Sequence, residues 1–346
     1  MKRASLKDIA ESLNVSKTLV SLVLNNKADE WGISEETQKK VRKKAEELNY
    51  YPNQMARGLR TGKSNIIGLV VADISNPFYA KISRTVEYEV ARLGYHLLVC
   101  SSDEVEEKEI KLIELLRDRQ RVEGLIIATT QQDSEHFLQL KKQQYPLVLI
   151  DRKLPGFNSN YVGVDNQKGA FQMVEHLIKS GRKRIGLVNV SPAHLSTLNE
   201  RVEGYKDALK KYGIKFNNDW IQSVSYSEIE KTTEQALSKL LTPPLKMDAL
   251  FAVNNYVAIN CLQTIHKMKL RIPEDVAITC FDDRDGFSFS HPPLTVVAQP
   301  LEEIGLEAVK LLMKQIDAKK PIVAQEKILP TKLIIRESCG SLEIRA

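Results

Sequence analysis

The residues of this 346-residue chain that could do covalent or metal chemistry are few and badly placed for it. Its six histidines (His96, His136, His176, His194, His266 and His291) show no His-x-x-x-His or other metal-ligand spacing. Cys100, Cys261, Cys280 and Cys339 lie far apart with no Cys-x-x-Cys pair. Neither a zinc site nor a disulfide framework is indicated, and the cysteines read as reduced, mostly buried thiols. There is no Gly-x-Ser-x-Gly elbow. Asp282-Asp283 is a carboxylate pair, but adjacent residues at a strand end point to opposite sides, which is poor for paired acid–base work. Gly58-Leu59-Arg60-Thr61-Gly62-Lys63-Ser64 is an imperfect phosphate loop: three residues separate its glycines where the pattern needs four, and it precedes an apolar strand instead of following one. No catalytic residue, metal or cofactor is assigned. A basic linker beside a polyanion explains the same Lys and Arg without chemistry.

The distribution of charge supports that alternative. Residues 1–64 hold 13 Lys and Arg against 8 Asp and Glu, while the remainder holds 37 against 36, so nearly all of the net +6 sits in the first fifth of the chain. A small basic module on a large neutral body implies an anionic partner, with nucleic acid ahead of membrane because no amphipathic Trp/Phe face accompanies the charge. With 42% apolar and 27% charged residues the chain should fold and stay soluble. At roughly 100–200 residues per domain it should form two or three units. No run approaches about 18 apolar residues, and no apolar core follows the basic N-terminal residues, so a cytoplasmic protein is expected.

Three short helices should position the polar residues of the basic module. Ser5 with Asp8 is a capping box, followed by an apolar face of Leu6, Ile9, Ala10 and Leu13. Asn14-Val15 makes a turn. Ser16 then caps a second helix that runs to Asn25, burying Leu19, Val20 and Val23 and leaving Lys17, Thr18, Ser21 and Leu22 outside. Ser34 caps a third helix reaching about Leu48, with Val41, Ala45 and Leu48 inward. Two helices joined by so short a turn, with small Ala10 at the crossing, fit a helix-turn-helix whose second helix enters the major groove. Residues 53–60 allow one or two further helical turns, marginal in isolation.

From residue 66 onward, strand-length apolar runs (66–72, 95–100, 124–128, 147–151, 185–190, 221–224, 249–253 and 276–281) alternate with helical patterns. Strands this apolar are buried on both faces, as in parallel sheets wrapped by helices. Eight such units exceed one open sheet. The expected fold class is therefore α/β, a helix-turn-helix head on two doubly wound lobes, with a cleft at the carboxyl ends of the strands. Runs 294–298 and 327–335 should cross back to finish the lobes. The expected boundaries are a head over 1–50, a hinge and linker over 51–64, and a core over 65–346 whose lobes cross near 160–165 and again near 285–300.

Several segments resemble the lactose-repressor/galactose-repressor (LacI/GalR) family of bacterial transcription regulators. They are Leu6-Lys7-Asp8-Ile9-Ala10 with Val15 to Asn25, Tyr51-Pro52-Asn53 with Ala56-Arg57-Gly58-Leu59, Gly68-Leu69-Val70-Val71 with Asp73-Ile74-Ser75-Asn76-Pro77-Phe78, Asp151-Arg152, Val164-Asp165-Asn166, Arg201-Val202-Glu203-Gly204-Tyr205, Asn254, Phe281-Asp282-Asp283, and Pro292-Pro293-Leu294-Thr295 with Gln299-Pro300. Each is weak alone; their order and spacing across the whole chain are specific. The resemblance implies a homodimeric regulator, most simply a repressor, whose core looks like the periplasmic sugar-binding proteins and whose paired heads read a pseudo-palindromic operator. It places Ser16, Lys17, Thr18, Ser21, Leu22 and Asn25 on the DNA, with Lys17 at the helix start as the base contact. It places Asn53, Met55, Ala56, Arg57 and Leu59 in a hinge whose Leu59 wedges into the minor groove.

For a sugar-like effector in the cleft, Phe78 is expected as an apolar wall and Arg201, Asn254 and Asp282 as polar anchors, with Asp151 and Asp165 beside them. Carboxylate and amide oxygens accept from adjacent hydroxyls, and Arg donates from its planar fork. Trp220 is read as core more than as a second wall. The chain departs from the family pattern at Leu22, which replaces a common Arg, in the longer loop Lys27-Ala28-Asp29-Glu30-Trp31-Gly32, and at Asn255, where Asp is common. A sugar-processing enzyme or kinase with an appended basic head is the alternative.

Overall fold

The computed structural model describes residues 4–50, 63–191 and 195–341. It divides into two compact units, Met1–Ser64 and Asn65–Ala346.

The first unit is three helices, α1 (Leu6–Leu13), α2 (Lys17–Leu24) and α3 (Glu35–Glu47). Each start is written in the chain. The Ser5 and Asp8 side chains cap one another's backbone N–H groups at 3.3 and 2.7 Å, and Ser16 Oγ accepts from the Leu19 N–H at 3.1 Å. Asn14, at φ 53°, turns α1 sharply into α2. Ile9, Ala10, Val20, Val23, Val41 and Ala45 form the core. The long loop after α2 is anchored by buried Ala28 and by Gln38, whose Nε2 donates to Asp29 Oδ1 and the Ile33 carbonyl. The additional residues therefore form a pinned 3₁₀ turn (Asp29–Trp31) with Trp31 exposed.

The second unit contains two six-stranded sheets. In the first, β1 (Ile66–Val71), β2 (His96–Ser101), β3 (Gly124–Ile127), β4 (Leu147–Ile150), β5 (Asn160–Val164) and the late strand β11 (Glu326–Leu329) are ordered β11-β5-β4-β3-β1-β2 and are wholly parallel. In the second, β6 (Ile185–Ser191), β7 (Ile221–Ser225), β8 (Ala249–Ala252), β9 (Ala277–Phe281), β10 (Thr295–Ala298) and β12 (Lys332–Ile334) are ordered β12-β10-β9-β8-β6-β7, with β12 antiparallel and the others parallel. Helices α4 (Pro77–Arg92), α5 (Glu106–Glu114) and α6 (Glu135–Lys142) serve the first lobe. Helices α7 (Asn166–Lys179), α8 (Ser196–Lys211), α9 (Ile229–Leu241) and α10 (Asn255–Lys267) serve the second, and α11 (Leu301–Ile316) returns to pack on α4. Two glycines allow close helix pairs. A Cβ on Gly204 of α8 would stand 2.1 Å from the Gln167 carbonyl oxygen of α7, and one on Gly305 of α11 would meet Thr85 of α4 at 2.9 Å.

Two features differ from the sequence reading. Strand β5 is short and interrupted by Gly163, so its apolar run is too weak to stand out, yet it lies second from the edge of its sheet. The expected strand over 327–335 is two strands in different sheets, β11 (Glu326–Leu329) and β12 (Lys332–Ile334). Pro330 lies between them, and without an N–H it cannot continue a ladder. The chain thus passes between lobes after β5, after β10 and at Pro330.

Candidate functional site

On the head, α2 sets Lys17, Thr18, Ser21, Leu22 and Asn25 along one side at helical spacing. Lys17, Thr18 and Asn25 are exposed, and Ser21 and Leu22 half-buried. Leu22 is not part of the head's core. Three of the expected DNA contacts already have local partners. Ser16 accepts the capping bond, and Asn25 Nδ2 donates to the Ser21 carbonyl at 2.7 Å and reaches Ser21 Oγ at 3.3 Å. Asn53, Met55, Ala56, Arg57 and Leu59 lie outside the described residues.

In the core, a cleft of about 660 Å³ of empty space, its open mouth included, is lined from both lobes. Many of its polar groups come from the turns leaving the strands, while α8 presents Arg201 and α4 presents Tyr79. The first lobe supplies Asp73 after β1, Glu104 after β2, and Asp151 and Arg152 after β4. The second supplies Tyr226 after β7, Asn254 after β8, Asp282 after β9 and Gln299 after β10. A parallel sheet aims all of its strand ends the same way, so loops remote in sequence converge there. Asp151 and Asp282 occupy matching positions after β4 and β9, and both have positive φ, 62° and 78°. Non-glycine residues in that region carry strain that the surroundings must offset.

Five of the six expected cleft residues line it: Phe78, Asp151, Arg201, Asn254 and Asp282. Asp165 does not; its carboxylate accepts from the Lys168 N–H at 2.9 Å and caps α7. Trp220 packs against the core clusters. Arg201, expected as a polar anchor for a ligand, is also held by the protein itself. Nε donates to Asn166 Oδ1 and Nη1 to the Val253 carbonyl, each at 2.9 Å; the fork lies 3.8 Å from the Phe281 ring centroid, and Nη1 is 3.8 Å from Asp282 Oδ2. Nη2 has no hydrogen-bond partner among the described residues. Asn254 Oδ1 caps α10 by accepting from the Val257 N–H at 2.9 Å, which leaves its amide nitrogen for the cleft.

The sequence reading did not assign the opposite floor. Arg152 donates from both terminal nitrogens to Glu104 at 2.7 Å, and its buried Nε has no hydrogen-bond partner among the described residues. Tyr79 donates its hydroxyl to Asp151 Oδ2 at 2.9 Å. Glu109, just beneath, accepts from Thr129 Oγ1 and from both the N–H and Oγ1 of Thr130. Burial pushes the Glu109 carboxyl up, and those three bonds only partly oppose it. Burial likewise raises Asp282, against the pull of Arg201 and of a 2.6 Å bond from Gln299. The walls are aromatic. Phe78 and Tyr79 meet edge to face with centroids 5.0 Å apart, and Tyr226 stacks on Tyr256 at 5.1 Å.

Among the described residues, four polar contacts join the lobes around the cleft. Tyr226 donates to Asp73 at 2.7 Å, Asn255 Nδ2 to Asn76 Oδ1 at 3.1 Å, and the Lys153 N–H to Ser196 Oγ at 2.9 Å, while Lys81 pairs with Asp285 at 2.6 Å. Asn255 thus has a definite partner: an aspartate there would lack the amide proton that it gives Asn76.

A helix-turn-helix head and a two-lobed parallel body around a polar cleft define a DNA-binding transcription regulator with a periplasmic-binding-protein-like core. Residues 5–53 match the family of bacterial regulatory proteins of the lacI type, and residues 174–339 match the periplasmic binding protein-like domain. The chain is 33% identical to the transcriptional regulator KdgR of Bacillus subtilis, over 96% of this chain and 97% of that one. It is also 33% identical to the ribose operon repressor of Halalkalibacterium halodurans, over 96% of each. Its fold is similar to that of the transcriptional regulator CelR in complex with cellobiose, with a TM-score of 0.71, 26% identity, and 97% of this chain and 100% of that one covered. The chain belongs to the LacI family of bacterial transcriptional regulators.

Proposed function

We propose that this regulator is a homodimeric repressor that acts on DNA in the cytoplasm, reads a pseudo-palindromic operator through paired α2 helices, and is controlled by a sugar or sugar derivative held in the cleft. The observation that carries the effector assignment is the convergence of Arg201 from α8 with Asn254, Asp151 and Asp282 from strand-end turns of both lobes, between aromatic walls. Carboxylates accept from vicinal hydroxyls, the amide and guanidinium donate to ring and hydroxyl oxygens, and aromatic faces cover the C–H surface of a sugar ring. The sugars of relatives, ribose by the name of one and cellobiose in the complex of another, agree with this chemistry. A ligand touching both lobes favours one lobe angle and so biases operator affinity. By linkage the operator changes effector affinity by the same factor, typically about 1–3 kcal/mol of coupling.

The test is a titration of the full-length protein with sugars, scored by thermal stabilisation, stoichiometry, turnover and operator affinity. Stoichiometric binding with a shifted operator affinity is the expected result. Conversion to product, or tight binding that leaves operator affinity unchanged, would overturn the regulator assignment of this cleft.

A further inference from the structure

The charges around the cleft narrow the effector further. Its described lining carries four carboxylates, Asp73, Glu104, Asp151 and Asp282, and two cations, Arg152 and Arg201, leaving it net negative by two. The charge of each cation is already matched by a carboxylate, Glu104 for Arg152 and Asp282 for Arg201, and of their terminal nitrogens only Arg201 Nη2 keeps a donor for a ligand. Both Arg152 terminal nitrogens are taken by Glu104 in a fork-to-fork pair, and Arg201 is divided among Asn166, the Val253 carbonyl and Asp282. The acids, by contrast, keep acceptor capacity. Asp151 uses Oδ2 for Tyr79, and Asp282 uses Oδ1 for Gln299, so each retains lone pairs for a hydroxyl.

We propose that the cleft selects an uncharged sugar and rejects its phosphorylated and carboxylated derivatives. The inference rests on the cleft being the effector site and deepens that assignment. A phosphate or carboxylate would face four carboxylates, with each guanidinium charge already offset by one of them, and like-charge juxtaposition in such a site is costly. A neutral sugar presents donors to the acids and acceptors to Arg201 Nη2, which has no hydrogen-bond partner among the described residues, and meets no such penalty.

The experiment uses full-length protein and matched sets: ribose with ribose 5-phosphate, glucose with glucose 6-phosphate and glucuronate, galactose with galacturonate. In whichever set binds, calorimetry should show the acidic member roughly tenfold or more weaker than the neutral one. In parallel, inorganic phosphate should leave the wild-type melting temperature unchanged. Glu104→Gln, which unpairs Arg152, should gain phosphate stabilisation and bind the acidic sugar more tightly relative to the neutral one. Asp282→Asn serves as a second charge-lowering variant should Glu104→Gln fail to fold, and should narrow the same gap. An acidic member binding as tightly as its neutral partner, or phosphate stabilising the wild type, overturns the charge selection and leaves the regulator assignment standing. Binding by no sugar of either kind overturns the sugar assignment itself, and the selection with it.

Discussion

Arg201, proposed above to hold the effector, is also a structural side chain. At 3% exposure it holds Asn166, the Val253 carbonyl and the buried carboxylate of Asp282 in place, and its fork is pressed on Phe281. Removing one partner of a buried charge pair typically costs about 3–5 kcal/mol because the other charge stays buried. Arg201→Ala should therefore abolish the effector response and also lower the stability of the core by ~3 kcal/mol in urea denaturation. Loss of the response with unchanged stability would mean that the guanidinium serves the ligand alone.

Glu109 shows the opposite relation between burial and charge. Its folded value lies above the ordinary 4.5 because burial disfavours the carboxylate more than Thr129 and Thr130 stabilise it. An acid raised on folding binds its proton more readily in the native state, so stability rises as pH falls through the folded value toward 4.5, and that gain is absent at neutral pH. Measured by denaturation from pH 7 down to 5, the wild type should gain on Glu109→Gln as the pH drops. A constant difference would show that the carboxyl is not perturbed.

At the scale of elements, α2 separates its two duties by face. Val20 and Val23 hold it in the head while Lys17 and Thr18 stand in solvent. Helix-start residues in a major groove reach base edges, and phosphate contacts act on all sequences alike. Lys17→Ala should weaken the preferred operator by about 1–3 kcal/mol in a binding titration, with a smaller loss on random DNA. An equal loss on both would make Lys17 a phosphate contact. Leu22, half-exposed on the same helix and without a polar atom, is suited to an apolar contact such as a thymine methyl where an arginine would bind guanine.

For the whole core, the contacts across the cleft set how firmly the lobes stay together. The Tyr226 hydroxyl donates to Asp73 from the opposite lobe, and Asp73 is also held by the Ser75 N–H and hydroxyl. Tyr226→Phe removes that bond and keeps the ring stacked on Tyr256. Loss of one such bond, to a charged acceptor, is worth about 1.5–3 kcal/mol at most. The variant should bind effector several-fold more weakly and show a smaller effector-induced change in operator affinity. Unchanged values for both would remove this contact from the closure.

The local signals were legible in the sequence because they depend on neighbours a few residues apart: the Ser5, Ser16 and Ser34 caps, the buried faces of the head helices, and the doubly apolar strands of two wrapped sheets. The charge gradient and the family motifs pointed to DNA and to Phe78, Arg201, Asn254 and Asp282 for similar reasons, since residue type at a given spacing already carries that information. Strand β5, the sheet switch at Pro330 and the floor formed by Tyr79, Glu104 and Arg152 were not legible. Asp165 and Asp151 make the point most plainly. Each follows a strand of the same sheet, and by type and position each is equally fit to cap a helix or to hold a ligand. Only the tertiary structure turns one toward the α7 backbone and the other into the cleft, because the partner that decides between those uses, the Lys168 N–H for Asp165 and the Tyr79 hydroxyl for Asp151, is close in the chain for one and 72 residues distant for the other.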